Sequence, residues 1–223
     1  MSNARTSGTR LARWFAACTV LAVVVFGLAG RWTDAWLWAY VAVFAATGLY
    51  ATLSLEEDLA RERFHPPEPG ADREALRIIR LVALAHLVLG ALDAGRWHVT
   101  SVPAPLRAVG LAGMILGVAL VFHAMATNRF FSAVVRIQAD RGHHVVDRGP
   151  YSIVRHPGYV GMIAGVPFGA LLLGSWIAVA LAVVYAGLML RCVVFEDAFL
   201  RANLAGYDGY AARVRYRLVP GVW

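Results

Sequence analysis

An all-α, polytopic membrane protein is the fold class this chain predicts, and three observations carry it. Of 223 residues, 59% are apolar and 16% charged, against about 45–50% and about 25% in soluble domains. Several long runs carry almost no charge. The arginines fall between those runs with a strong sidedness. Together these exclude a secreted disulfide scaffold, a disordered tail and a soluble nucleic-acid binder. The length suits one domain. We read residues 1–223 as a single integral membrane domain, with four membrane helices in 1–127 and the polar clusters gathered in 128–223.

A spanning helix needs roughly 20 apolar residues to cross ~30 Å of hydrocarbon. Residues 14–30 are uncharged and follow Arg5, Arg10 and Arg13. Residues 35–55 form a second such run. Residues 78–92 form a third, broken by Arg80 and short enough that it must tilt or pack partly against protein. Residues 108–127 form the fourth. Residues 157–190 then run without a charge, which at ~1.5 Å per residue is roughly 50 Å, too long for one span. The Gly174-Ser175-Trp176 turn signal divides that run into a tight C-terminal helical hairpin. The count is about six transmembrane helices.

The net charge is +7, and all 21 basic residues are arginine. Alternating the predicted helices across the bilayer puts 18 of them on one side, with Arg31, Arg96 and Arg107 on the other. The positive-inside rule then places both termini in the cytoplasm of a multi-pass cell-membrane protein. The even helix count agrees. The basic surplus is thus a topology signal and a contact for anionic membrane lipids, not a nucleic-acid patch. A cleaved signal peptide ending near Gly27 and Ala29 is the competing reading of the first run. It is disfavoured because a second span follows at once. Residues 56–77 read as a polar cytoplasmic connector; its His65-Pro66-Pro67 and Pro69-Gly70 pieces suit a solvated loop or a lid.

Cys18 and Cys192 are too few for a disulfide framework or a cysteine-based zinc site, and read as two buried thiols. His86 and His123 fall inside helices and read as interior histidines with satisfied partners. Chemistry gathers instead in residues 128–159 and 191–223, at the cytoplasmic ends of the hairpin. That placement suits an interfacial enzyme taking one polar and one greasy substrate. Phe130, Phe131, Val134, Val135 and Ile137 line one side of a predicted amphipathic helix, with Arg129, Arg136 and Asp140 toward water. Gly149-Pro150 turns the chain, and Pro157 fits the first turn of the hairpin. That helix start favours an anionic group. After Glu196-Asp197, the spacing of Leu200, Leu204, Tyr207, Ala211 and Val214 predicts an amphipathic helix along the membrane surface. Arg213, Arg215 and Arg217 follow it as headgroup contacts. No G-x-G-x-x-G and no P-loop is present. His143, His144 and His156 match no zinc spacing, so no metal is expected.

At these motifs the chain resembles the isoprenylcysteine carboxyl methyltransferase family, within the wider phospholipid methyltransferase superfamily. The carrying residues are Gly149-Pro150-Tyr151, Arg155-His156-Pro157-Gly158-Tyr159, Glu196-Asp197 and Gly206-Tyr207 leading to Pro220. The resemblance implies S-adenosyl-L-methionine as methyl donor, bound at the cytoplasmic face without a Rossmann fold, with residues 128–223 as the cofactor-binding, catalytic part. It implies that Gln138, His143, His144, Val145, Val146, Tyr151, His156, Pro157, Gly158, Tyr159 and Glu196 hold the donor. It implies an arginine four residues before Glu196 that meets the substrate carboxylate; Cys192 stands there, and Arg191 precedes it. The catalytic set is therefore read as Arg191, Glu196 and His156. The partner is a lipophilic or prenylated acceptor, most simply a carboxylate. An amine acceptor would need a base, with Glu196 or Asp197 as candidates. The short third helix suggests a lateral entry for lipid. A membrane sterol-type reductase using NADPH, and a non-enzymatic transporter or accessory protein, are the alternatives.

Overall fold

A computed structural model describes residues 2–64 and 72–223. The suggested lid pieces, His65-Pro66-Pro67 and Pro69-Gly70, lie outside the described residues. Helices α1 (Ser2–Ala29), α2 (Ala35–Ser54), α3 (Glu57–Phe64), α4 (Arg73–Leu92), α5 (Ala104–Thr127), α6 (Pro157–Leu173), α7 (Trp176–Asn203) and α8 (Tyr207–Arg213) follow in order, with no strand among the described residues. Among the described residues five helices are long and apolar enough to cross a membrane, and α6, at 17 residues, is a shorter apolar helix. The chain is an all-helical, multi-pass membrane protein.

Four spans differ in extent from the expected ones: the first, α1, starts at Ser2 and takes in Arg5, Arg10 and Arg13. The third is not short: α4 starts at Arg73, and one π-helical turn, Asp93–Trp97, continues it. The fourth begins at Ala104 and so takes in Arg107. The second arm of the hairpin runs on to Asn203, because nothing in Arg191 to Asn203 breaks a helix.

The residues divide into two compact units. The first comprises 1–55, 82–115 and 166–183. Its helix ends are closed by side chains. Asp34 caps α2 by accepting from the Trp36 and Leu37 amides at 2.9 and 3.4 Å, which supplies two of the amide partners a helix start lacks. Arg96 donates to the Leu28 and Gly27 carbonyls at the end of α1, at 2.7 and 2.9 Å. Arg107 does the same for Leu172 and Leu173 at the end of α6, at 3.0 and 3.2 Å. Asp93 is fully buried yet fully partnered. It accepts from the Val99 and Thr100 amides at 3.0 Å each, from the Thr100 hydroxyl, and from Ser175 Oγ at 2.5 Å. A carboxylate satisfied in this way belongs to the architecture. Cys18 is half-buried, so the expected pair of buried thiols reduces to Cys192.

The second unit comprises 56–81, 116–165 and 184–223. Its expected connector is partly helical: α3 occupies 57–64, with Glu57 and Asp58 in its first turn and Arg61 and Arg63 in its last, the charge order a helix dipole favours. The amphipathic helix expected over 128–140 does not form. Asn128 Oδ1 accepts from the Phe130 amide at 2.9 Å and Ser132 Oγ from the Val134 amide at 3.2 Å. These local side-chain bonds compete with helical pairing, and Val134 and Val135 are weak helix formers. Arg136 does not face water either. It is buried against Glu62. Nor does one surface helix run through 200–214. Gly206, at φ +81°, breaks it. Leu204, Tyr207, Tyr210 and Ala211 pack into a buried cluster with Ile137, Val145, Leu200 and Val214. The apolar stripe faces protein rather than lipid. His123 is exposed on the protein surface.

Candidate active site

The second unit holds a cavity walled by the 128–146 segment, the start of α6 and the C-terminal half of α7. Gln138, His143, His144, Val145, Val146, Tyr151, His156, Gly158, Tyr159 and Glu196 all line it. Pro157 does not; it is fully buried at the first position of α6. Arg191 does not line it either. It lies on a second cavity with Asp72, Ile78, Leu188 and Cys192. Arg191 and Glu196 are five positions apart on α7. At ~100° each, that turns Arg191 well away from the face of α7 that carries Glu196.

Two neighbouring carboxylates take different positions here. Asp197 is fully buried. Arg155 grips it with Nε at 2.7 Å and Nη2 at 3.1 Å. Arg217 donates at 3.0 Å, Arg201 at 3.4 Å and the Tyr207 hydroxyl at 3.1 Å. His156 Nε2 lies 3.4 Å from the same carboxylate. An acid so heavily hydrogen-bonded and ion-paired has no free oxygen with which to take a proton, which removes Asp197 as a base. Burial works to lower the Arg155 pKa, but its bond and charge contact with Asp197 prevail and raise it. Burial and then Asp197 push the Tyr207 hydroxyl up. Arg155 also donates from Nη1 to the Val214 and Arg215 carbonyls at 2.8 Å each. The amides of Arg155 and His156 pair with the Tyr216 and Arg217 carbonyls at 2.9 and 3.0 Å. The C-terminal segment therefore fixes the residues that open α6. Arg217 serves this network, and Arg213 pairs with Asp147 at 2.9 Å, so neither is simply a headgroup contact.

Glu196 is the carboxylate that remains open to the cavity. Tyr159 donates its hydroxyl proton to Glu196 Oε2 at 2.8 Å, and His156 Nδ1 lies 3.7 Å from Oε1. Gly158 is required beside them: a Cβ there would come within 2.5 Å of the Phe131 ring.

The facing wall is held by a buried clamp. Glu62 accepts from Arg136 at 3.1 and 2.8 Å and from Ser132 Oγ at 2.7 Å. Its burial favours the neutral acid, but these bonds outweigh that and hold its pKa below the usual carboxylate range. Arg141 pairs with Asp58 at 2.8 Å and donates to Gln138 Oε1. Gln138 in turn donates to the Phe130 carbonyl at 2.7 Å, so both ends of its amide are engaged in shaping the wall. His143 Nδ1 accepts from the Gln138 amide at 3.3 Å. Burial first, then the neighbouring charges of His144, Arg136 and Arg141, push the His143 pKa down to about 4.

Among the described residues no three His, Cys, Asp or Glu side chains converge as a metal-binding group. The lining also includes Arg63, Phe131, Ser132 and Tyr210, none of which the sequence singled out as site residues. The acidic-then-basic order of 57–64 marks α3 as a helix. No local signal tells that Arg63 reaches the cavity.

Residues 106–205 match the phospholipid methyltransferase family. The nickel-cobalt-cadmium resistance protein NccN of Alcaligenes xylosoxydans xylosoxydans is 30% identical over 138 residues, which is 61% of this chain and 59% of NccN. A probable protein-S-isoprenylcysteine O-methyltransferase of Oryza sativa is 32% identical over 109 residues, 48% of this chain and 57% of that protein. Protein-S-isoprenylcysteine O-methyltransferase B of Arabidopsis thaliana is 33% identical over 108 residues, 47% and 55% respectively. The chain thus spans less than two thirds of the length of each of these relatives. The resemblance carried by the hairpin motifs holds.

Proposed function

We propose, with the phospholipid methyltransferase match as premise, that this chain is an S-adenosyl-L-methionine-dependent methyltransferase acting on a lipophilic carboxylate at the cytoplasmic membrane face. In this reading residues 1–223 act as one membrane-embedded enzyme with both termini in the cytoplasm. The observation that carries it is the division of labour at the end of α7: Asp197 is consumed by three arginines, while Glu196 stays open to the cavity beside Tyr159 and His156.

The residues fit such a donor. Its ammonium finds a carboxylate in Glu196, oriented by Tyr159 in a charge-assisted pair. Its adenosine finds the apolar and aromatic wall of Phe130, Tyr151, Val145 and Val146, and its polar edges find His143, His144 and His156. When bound, the donor supplies a sulfonium methyl, whose C–S bond breaks toward sulfur as the acceptor oxygen forms the new C–O bond. The acceptor carboxylate is already ionised, so no base is required. The chain's part is then to exclude water and hold the acceptor oxygen about 3–3.5 Å from the methyl carbon. A prenylated cysteine or another isoprenoid or lipid acid suits that chemistry.

The test is ligand binding by the purified chain in detergent, read as thermal stabilisation. Saturating S-adenosyl-L-methionine or its demethylated product, at 100 times the dissociation constant, should add about 2.7 kcal/mol of stability. Glu196→Gln should weaken that binding at least tenfold, since a hydrogen bond to a charged group contributes about 1.5–3 kcal/mol. Stabilisation by NADPH in place of the methyl donor would replace this reading with the reductase.

A further inference from the structure

We propose that Arg63, in the last turn of α3, is the cation that receives the carboxylate of the methyl acceptor; this rests on the carboxyl methyl-transfer reading above. Its guanidinium lies over Phe131, with Cζ 5.5 Å from the ring centroid. It lines the same cavity as Tyr159, His156 and Glu196. Other arginines around that cavity are committed: Arg136 to Glu62, Arg141 to Asp58, and Arg155 and Arg217 to Asp197. Arg63 has no ion pair among the described residues. Its neighbour Glu62 is fully engaged by Arg136 and Ser132, so it leaves the Arg63 charge uncompensated.

A half-buried cation with no counter-ion is costly, and burial accordingly lowers the Arg63 pKa. A ligand carboxylate supplies the missing anion and matches the planar fork of a guanidinium. The fold presents Arg63 deliberately. Asp58 and Glu62 lie four residues apart on α3, and their pairs with Arg141 and Arg136 pin the helix to the cavity wall at two points. Arg63 also stands within electrostatic reach of Tyr185 and Arg80. Tyr185 lies about 16 Å along the α7 axis from Glu196, toward the membrane-embedded part of that helix. Arg63 therefore stands on the side from which a greasy acceptor arrives. It supplies from α3 the charge that position 192 lacks and that Arg191, on the other cavity, does not provide.

The donor's own α-carboxylate is the second possible source of the anion, and the experiment separates the two. N-acetyl-S-farnesyl-L-cysteine and its neutral carboxamide are bound to the purified full chain in detergent, with S-adenosylhomocysteine titrated separately. The unaltered protein should prefer acid over amide by roughly 10- to 100-fold, the size of a hydrogen bond to a charged group. Arg63→Gln should erase that preference and raise the KM for the acid more than it lowers kcat, while S-adenosylhomocysteine affinity holds. Arg63→Lys should recover part of the preference. The ligand-free thermal midpoint of Arg63→Gln should not fall, because the substitution removes an uncompensated cation. Retained acid preference in Arg63→Gln overturns the proposal. So does a loss of S-adenosylhomocysteine affinity with acid preference intact, which would assign Arg63 to the donor. If the unaltered protein methylates no acid at all, the carboxyl-transfer reading itself fails, and that is seen without any variant.

Discussion

Adjacent acids on one helix lie ~100° apart, and on α7 that angle separates two roles. Asp197 points into the arginine network and ties α6 and the C-terminal segment together. Glu196 points at the cavity. His143 shows the same sensitivity to surroundings and gives a pH dependence with a definite sign. Its pKa falls to about 4, through burial first and then through neighbouring cations, whereas an unfolded histidine titrates near 6.5. Between those values the unfolded chain takes up a proton that the folded chain refuses. The His143 contribution is therefore complete above about pH 6.5 and is lost as pH falls toward 4. Protonating Nδ1 would also break the bond it accepts from the Gln138 amide. We expect the thermal midpoint to drop more between pH 7 and pH 4.5 in the unaltered protein than in His143→Gln. Equal drops would mean that His143 is not the group responsible. The sequence pointed to Glu196 through its motif, and to His143 only through what the family resemblance implies. It could not point to Arg63, whose role depends on ion pairs joining residues more than 70 positions apart.

Elements show where close packing, rather than propensity, decides. On α6, a Cβ at Gly161 would sit 2.4 Å from the Gly117 carbonyl oxygen of α5 and 2.7 Å from Val121. Backbone cannot yield there without parting the helices. Gly161→Ala gains about 1 kcal/mol of helix propensity but incurs an overpacking cost of typically 1–3 kcal/mol or more. We expect a net loss, read as a lower thermal midpoint. Gly187 on α7 has nothing within 4 Å of the same added atom, so Gly187→Ala should leave the midpoint level or raise it. A rise in both would show that the crossing is looser than the structure has it. The hairpin was legible because its apolar run exceeds a bilayer and carries a turn signal. The segments 128–140 and 200–214 were not. Their apolar spacing is real, but it serves a cavity wall in one case and a cluster folded across Gly206 in the other. Periodicity reports which face is buried, and it is silent on whether the backbone beneath is one helix.

At the scale of the whole molecule the question is which way the helices run. Each of the three arginines expected opposite the others has a local task. Arg31 donates to the Ala94 carbonyl at 3.3 Å, Arg96 closes α1 and Arg107 closes α6. They satisfy helix-end carbonyls, so their location follows from capping. The remaining arginine excess is what the positive-inside rule acts upon, and from it we expect both termini in the cytoplasm. Two exposed positions report on it. Arg61 lies on α3, and Val99 follows the π-helical turn at the end of α4. With Cys18 and Cys192 first replaced by serine, we introduce Arg61→Cys and Val99→Cys separately. An impermeant maleimide applied to intact cells should label the cysteine at 99. The cysteine at 61 should react only once the membrane is opened. The reverse pattern would turn α3, Glu196 and the cavity away from the cytoplasm. A nucleoside sulfonium made and kept in the cytosol could not then reach Glu196, and the methyl-transfer reading would fail on access rather than on chemistry.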